Sequence, residues 1–473
     1  MPRNEKFLPL LHWPEQVFYT SRMRFTAFSY ELQPDPEQEA KLWRHAGAAR
    51  FAYNQGLAMR NRAYEAHKTD PSVKVPHSQF DLINAFNRWK ISAEAGNEGG
   101  RVGLFWQREV CAQVFEEGLT DLSRALKRFF DSRKSGGRKS GFPRFKKRGR
   151  AKVSFRMRNK RDDVRVSERS VRLPRLGDIP VRGSTRRLRR ILRLSAQGGD
   201  PGKVLFATVQ HTGGRWYVRF NVEGRPLHPG HHHKEIGPPI GIDRGLNAFV
   251  VAAKADGSEV LRTTAPKPLQ KHLRQLRRLS RHLSKCTRDS KNRARWRRKI
   301  GRLHARIAFI RKDYLHNLSS HVAKTHSHVA LEDLHVAGMV QNRCLARSIH
   351  DVGWSMFAAQ LRYKMAWRTG VIFDVDRYYP STKTCHRCQW RIESMPLSAR
   401  VFACSQCGLK SDRDQNAAAN CARLANLNRS VAVKQMDTLN AWGDGGSGRA
   451  LIGAVKPTSM KQEKPPIACD WVA

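Results

Sequence analysis

Acidic side chains are scarce in this sequence. Its 473 residues hold 40 Asp and Glu against 88 Lys and Arg, a formal net charge of +48. A surface built only for solubility would mix the two signs more evenly. Such an imbalance attracts polyanions, with nucleic acid the first candidate. Long apolar runs are also missing, since none reaches the length of a bilayer span, and there is no basic amphipathic anchor or lipidation signal. No membrane role is expected. The opening MPRNEKFLPLLHW lacks the apolar length and small-residue cleavage site of a signal peptide. Cysteine is sparse and odd in number. Of nine, four form two close pairs, and Cys111, Cys286, Cys344, Cys421 and Cys469 are scattered. That argues against a secreted disulfide framework and for a reducing cytoplasm.

The length allows two to four domains. SRMRFTAFSYEL (21–32) has strand character, and PDPEQEAKLWRHAGAARF then opens a helix with a proline and an acidic first turn. A second helical block covers about 104–133, its apolar stripe formed by Leu122, Leu126 and Phe129–Phe130. Beyond a Gly/basic loop come short β-like runs, VSFRMR, SVRLPRLG, ILRLSA, VLFATVQH and RWYVRFNVE. The paired glycines of HTGGR mark a hairpin. Strands with basic loops predict a small β-barrel of oligonucleotide-binding type, interrupted by the earlier helices. PLHPGHHHKE has the character of a solvated linker, although its histidines could bind metal. From about 236 the pattern is strand, turn, strand, then a strongly basic helical hairpin over 267–324, a strand at VALE, a helix at 353–369 and a strand at VIFDV. Beyond about 430 the composition predicts disorder.

Two sets of residues carry chemistry. Cys385-x-x-Cys388 and Cys404-x-x-Cys407 are separated by 15 residues, a spacing that lets two knuckles place four thiolates around one Zn²⁺. Four protein ligands leave no open coordination position, so such a zinc is structural. Phosphodiester hydrolysis needs hard oxygen ligands for two Mg²⁺ ions. Asp243 follows the apolar IGI, Glu332 ends VAL in VALEDL, and Asp414 precedes the helical QNAAAN. Taken singly, these are equally a turn former, a strand-end charge and an N-cap. Asp333 and Asp412 stand beside them as decoys.

Together, GIDRGL, LEDL, DVGW with LRYKMAW, YYPSTKTCHRC, FACSQCG and DRDQNAAAN resemble the ordered motifs of the TnpB nucleases of insertion sequences, which compact type V CRISPR effectors share. The resemblance extends through ARFAYNQGL, GFPRFKKR and RLPRLG to LNAWG near 440. It implies an RNA-guided DNA endonuclease of the prokaryotic, nucleoid-associated cytoplasm, with guide RNA and target double-stranded DNA as partners. The implied fold is multidomain, α+β and α/β. A wedge β-barrel (23–34 and 133–226) carries a helical recognition insert (35–132). After a linker (227–235) comes a RuvC domain of RNase H fold (236–384 and 408–430) with a zinc-ribbon insertion (385–407), then a tail (431–473). The catalytic acids implied are Asp243, Glu332 and Asp414, holding Mg²⁺, with Zn²⁺ on Cys385, Cys388, Cys404 and Cys407. Whether a transposon or a CRISPR locus encodes the chain, and whether it acts as monomer or dimer, stay open.

Some positions depart from the family pattern. Gln389 follows the first knuckle where glycine is usual and supports a tight turn, and Thr382 and Lys383 replace a common Ser and Gln. The 22 residues before Met23 fall outside the resemblance and suggest an upstream start or a disordered extension. Arg144, Lys146 and Lys147 in GFPRFKKR, with the basic helices of 273–302, are phosphate candidates. Phe142 and Phe145 could stack on bases or pack in the barrel. Segments near 77–82 and 107–116 are candidates for reading the target-adjacent motif by analogy. A guided DNA binder that does not cut would lose an acidic ligand, and all three are present. A strand-joining transposase or an unguided zinc-ribbon binder would also suit so basic a chain. The latter leaves the spaced carboxylates unexplained.

Overall fold

The computed structural model describes residues 24–441 apart from 99–100, 135–138, 161, 195–201, 225–236, 369 and 397. Expectations for the N-terminal extension, the His-rich linker and the chain beyond 441 lie outside the described residues. Two compact units divide the chain. One holds the described residues up to 224 with Leu279–Ala305, and the other holds the rest. Among the described residues no helix is long and apolar enough to cross a membrane.

The first unit opens with β1 (Arg24–Leu32) and α1 (Pro36–Thr69). Asp35 and Gln38 form a reciprocal capping box, with Pro36 in the first turn. Next come α2 (Gln79–Trp89), a small ladder of β2 (Asn97–Glu98) and β3 (Arg101–Val102), and α3 (Ala112–Lys134). α1 and α3 meet over small residues. A Cβ on Gly118 would lie 2.6 Å from the Ala49 carbonyl, so the two backbones touch there. The remaining elements are β4 (Ser154–Arg158), β5 (Arg165–Val166), β6 (Ser170–Leu173), β7 (Gly177–Arg182), α4 (Arg186–Leu194), β8 (Lys203–Thr212) and β9 (Arg215–Gly224).

The strands form one antiparallel sheet in the order β4-β8-β9-β1-β7-β6-β5. Its hairpin at HTGGR places Gly213 and Gly214 at φ 61° and 79°. One continuous apolar core joins helices to sheet, including Leu42, Leu119, Met157, Val209 and Phe220. The described part of ILRLSA, Ile191 to Leu194, is not a strand but closes α4. The six-residue window hid the helical period, which shows in Leu188 and Ile191 buried three apart on an arginine-covered helix.

The second unit contains β10 (Ile240–Asp243), β11 (Val250–Lys254), β12 (Glu259–Thr263), α5 (Pro268–Ser284), α6 (Lys291–Thr325), β13 (His328–Glu332), α7 (Val336–Met339), α8 (Arg343–Val352), α9 (Trp354–Trp367), β14 (Val371–Val375), β15 (Val401–Ala403), β16 (Lys410–Asp412) and α10 (Arg413–Ala441). The tip of the α5–α6 hairpin belongs to the first unit. The sheet order is β12-β11-β10-β13-β14, with β10, β13 and β14 parallel and β11 antiparallel to its neighbours.

Both faces of this sheet are covered, as its nearly unbroken apolar strands require. Val329 and Leu331 of β13 face Leu315 and Val322 of α6 and Phe357 of α9, while Ala330 between them faces Cys421 and Ala425 of α10. Asp351 is 3% exposed. It accepts from Arg311 and from the Leu269 and Gln270 amides at the start of α5, which fixes α5, α6 and α8 together. α10 continues past residue 430, where the sequence predicted disorder, because SVAVKQMDTLNA contains neither glycine nor proline.

Candidate active site and metal centre

The parallel ladder pairs Ile242 with Leu331, so Asp243 and Glu332 are the next residues, side by side where the two strands end. β10 is also where the strand order reverses, with β11 on one side and β13 on the other. The crevice beyond the carboxyl ends at such a point is where open α/β sheets bind ligands. The third carboxylate comes from α10, which lies almost on the backbone of β10. A Cβ at Gly241 would sit 1.9 Å from the Ala418 carbonyl and 2.5 Å from the Ala422 amide. Ala417, Ala418 and Ala419 are fully buried there. Asp412 is the N-cap, accepting from the amides of Asp414 and Gln415 at 3.0 and 3.1 Å, so Asp414 stands in the first turn. Asp412 is further engaged by Arg262 at 3.0 Å, and Asp333 pairs with Arg377. The two decoys therefore have structural partners of their own.

Asp243 lies within the field of the other two carboxylates. Burial raises the proton affinity of Asp243 well above the carboxylate range, and the charges of Glu332 and then Asp414 raise it further. The Arg244 amide and Arg413 oppose this. Arg244 is itself buried, and desolvation lowers its pKa to about 10. It donates to the Glu332 carbonyl, tying the two strand ends together. Arg413 holds one Asp414 oxygen at 3.2 Å and the Ala399 carbonyl at 3.1 Å. The hydroxyl of Ser381 donates to Glu332 Oε1 at 2.7 Å, and the Cys421 thiol lies 3.9 Å from the same oxygen. A carboxyl whose proton affinity is raised by burial and then by two neighbouring acids marks a site that a hard cation would relieve, and the three side chains' oxygens suit Mg²⁺.

The four knuckle cysteines come together as one cluster, their sulfurs all within 4.8 Å of one another. The Cys385–Cys407 and Cys388–Cys404 separations are 3.6 and 3.5 Å. Zn–S bonds of about 2.3 Å in a tetrahedron put sulfurs about 3.8 Å apart, so the set fits Zn²⁺. Both knuckles use one local geometry. The first cysteine's amide donates to the carbonyl five residues on (Trp390 or Leu409), and its carbonyl accepts from the amide four residues on (Gln389 or Gly408), at 2.9–3.1 Å. That turn needs a left-handed residue, which is Gly408 at φ 69° in the second knuckle and Gln389 at 66° in the first. The Gln389 side chain compensates by donating to the Cys385 and His386 carbonyls at 2.9 and 3.1 Å. Burial opposes ionisation of Cys404, yet the Cys407 amide, the Cys388 thiol and the Gln406 amide bring its pKa down to about 7.

Knuckle and carboxylates are joined through residues that sequence reasoning missed. Asn416 and Asn420, one turn apart on α10, are fully buried. Asn416 accepts from the His386 amide at 3.0 Å and donates to the Thr384 carbonyl at 2.8 Å, and Asn420 donates to the carbonyls of Ser381 and Thr384 at 2.8 and 2.6 Å. The turn segment leading into Cys385 is thus stapled along the helix that carries Asp414. Two amides at helical spacing amid alanines were the available signal.

In the other unit, the phosphate candidates Arg144 and Lys147 are exposed. Lys146 is half-buried, with its ammonium 3.7 Å above the Tyr53 ring and its backbone clamped by Asn54 at 2.8 and 3.1 Å, so it anchors the loop. Phe142 packs edge-on against Phe129, with Arg60 over its ring, and Phe145 is 51% exposed. Arg274, Arg277, Arg278, Arg281, Arg297 and Arg298 on the basic hairpin are exposed.

Residues 202–343 match the OrfB family of IS605, described as "Probable transposase", and residues 354–421 match the "Cas12f1-like, TNB domain". Residues 23–69 match a helix-turn-helix description, although the described part is here a strand and one unbroken helix. A Mycobacterium tuberculosis protein named "Putative RNA-guided DNA endonuclease" is 30% identical over 84% of this chain and 86% of its own. InsQ of Escherichia coli K12, named likewise, is 31% identical over 84% and 91%. Among solved structures, the chain resembles that of a Cas12f1–sgRNA–target DNA complex at TM-score 0.32 and 13% identity, covering 84% of this chain and 99% of that one. That likeness is too slight to carry an argument. On the sequence matches, the chain belongs to the TnpB (IS605 OrfB) family.

Proposed function

We propose that this protein is an RNA-guided DNA endonuclease that cuts its target in a RuvC-type site. The observation that carries the reading is the convergence of Asp243, Glu332 and Asp414 from two parallel strand ends and one helix start. The names of its relatives, matched over more than four fifths of the chain, point the same way.

When bound at these three carboxylates, Mg²⁺ supplies the activation of water and the stabilisation of the leaving oxygen. The chain's own residues set the geometry. Arg244 fixes the end of β13 against β10, Arg413 takes one oxygen of Asp414, and the alanine face of α10 sets the depth at which Asp414 stands. Cys385, Cys388, Cys404 and Cys407 would hold Zn²⁺ with protein ligands alone, a role that would brace the ribbon and leave no position for substrate. The antiparallel sheet of the first unit is read as the oligonucleotide-binding-type wedge barrel, with α1–α3 as its recognition insert. The exposed cations Arg144, Lys147 and those of the α5–α6 hairpin would meet guide and heteroduplex phosphates, where contacts are independent of sequence.

The test is to purify the protein from cells carrying its native flanking DNA and to sequence the RNA that accompanies it. A single species with a fixed scaffold and a variable end is expected. Loaded with that RNA, the wild type should cut matched duplex DNA with Mg²⁺, and Asp243→Ala should retain the RNA but not cut. No specific RNA on a folded preparation, or undiminished Mg²⁺-dependent cutting by the variant, overturns the proposal.

A further inference from the structure

We infer that Ser381 is a positioning residue for Glu332, fixing one carboxylate oxygen so that the other faces the cation. The inference rests on the RuvC-type reading of the site. A glutamate at a strand end has several rotatable bonds and, unrestrained, would sample many positions. Here its main chain is held by Arg244 and its Oε1 by the Ser381 hydroxyl at 2.7 Å. Among the described residues no hydrogen bond to Oε2 is found, which leaves that oxygen for a metal.

Ser381 can act as a fixed donor because it is fixed itself. It is 5% exposed, its amide donates to the Tyr379 carbonyl at 2.8 Å, and its carbonyl accepts from Asn420 at 2.8 Å. The same Asn420 amide grips Thr384, the residue before the zinc ligand Cys385. A single short segment therefore joins the first knuckle, the helix of Asp414 and the side chain of Glu332. An alanine at 381 would keep this backbone path and remove only the donor. Second partners of metal-binding carboxylates set ligand orientation, and their loss typically weakens metal binding by about 10- to 100-fold.

The experiment uses the full chain with its co-purified RNA. Fe²⁺ at the acidic site, supplied well below its half-saturating level, reduces added hydrogen peroxide to hydroxyl radicals that cut nearby backbone, and ascorbate returns the Fe³⁺ to Fe²⁺. Fragments ending near 243 and 332 are quantified by mass spectrometry while Mg²⁺ competes. In parallel, kcat and the half-saturating Mg²⁺ are measured for DNA cleavage. For Ser381→Ala we expect about tenfold more Mg²⁺ to be needed for both competition and cleavage, with zinc content and melting temperature kept. Ser381→Thr, which retains the hydroxyl, should recover most of the difference. Wild-type competition by Ser381→Ala, or no recovery by a folded Ser381→Thr, overturns the positioning role. Should the alanine variant lose zinc or unfold, Ser381→Cys, close in size but only a weak donor, takes its place, with a smaller rise in the Mg²⁺ needed expected and a wild-type requirement overturning the role. Asp243→Ala separates the two levels. If it abolishes local scission while Ser381→Ala does not alter it, only the serine's role falls. If Asp243→Ala also leaves scission unchanged, the metal site falls and this inference with it.

Discussion

Replacing Gly241 by alanine adds one methyl group in the middle of β10. Its nearest neighbours would be backbone atoms of α10, the Ala418 carbonyl at 1.9 Å and the Ala422 amide at 2.5 Å, with Cys421 Cβ at 2.8 Å. Backbone inside a helix cannot swing aside as a side-chain end can, so helix and strand must part. Ordinary contact begins near 3.4 Å, which asks for a displacement of about 1.5 Å at this point. Overpacking of this kind costs about 1–3 kcal/mol of stability. The functional effect should be larger than the loss of stability implies, because α10 carries Asp414 and the two asparagines that hold the ribbon segment. A misplacement of about 1 Å in a reacting constellation lowers rates on the order of 100-fold. The assay pairs chemical denaturation with single-turnover cleavage of guide-matched DNA. Gly47→Ala in α1 is the control. No atom lies within 4 Å of its would-be Cβ, so helix propensity alone should raise stability, by up to about 1 kcal/mol. A Gly241→Ala protein with wild-type stability and cleavage rate would refute the close approach of α10 to β10.

Further expectations concern charge and metal. In Mg²⁺-free buffer, burial and the neighbouring acids raise the folded pKa of Asp243 above its unfolded value. Its contribution to stability is then full below the unfolded pKa and is lost as pH rises through the folded one. Asp243→Asn, neutral throughout, should be more stable than wild type at the alkaline end, and its stability should fall less as pH rises from 5 to 8, as read by denaturant titration. A variant that tracks wild type across that range would contradict the crowding. Cys404→Ser leaves three thiols of four and should lower zinc per chain, measured by metal analysis; undiminished zinc counts against the cluster. Gln389→Gly and Gln389→Ala both remove the two side-chain hydrogen bonds, so their difference isolates the left-handed backbone. The glycine variant should be the more stable by about 1 kcal/mol, seen as slower zinc release to a chelator, and equal rates would mean the turn is not strained.

What was legible in the sequence was chemistry that few residue types can perform at short spacing. Two C-x-x-C knuckles, acids at the ends of apolar runs and a Gly-Gly hairpin each declare themselves within ten residues. α4 did not, because the short run ILRLSA, apolar at 191, 192 and 194, fits either period until the arginines before it are counted. The cation–π seat of Lys146 on Tyr53 and the Arg311–Asp351 pair were illegible for a different reason. A lysine in a basic run and an aspartate in a helix look solvated until tertiary structure supplies the partner.

DRDQNAAAN shows how local and tertiary demands share one stretch. Alanines are required where α10 lies on Gly241, since a larger side chain there would lift the helix off the sheet. Burial on that face in turn obliges any polar residue to find partners. Asn416 and the side-chain nitrogen of Asn420 find them in the backbone between Ser381 and His386, the segment that leads into the first knuckle, while Asn420 Oδ1 is buried without a hydrogen-bond partner among the described residues. A four-cysteine cluster that fits zinc, set beside this helix, is therefore joined to the acidic site by the packing that brings Asp414 to Asp243. Loosening the knuckle should disturb Glu332 through Ser381 before it disturbs the sheet, because β10 and β13 are held by their own ladder and by Arg244.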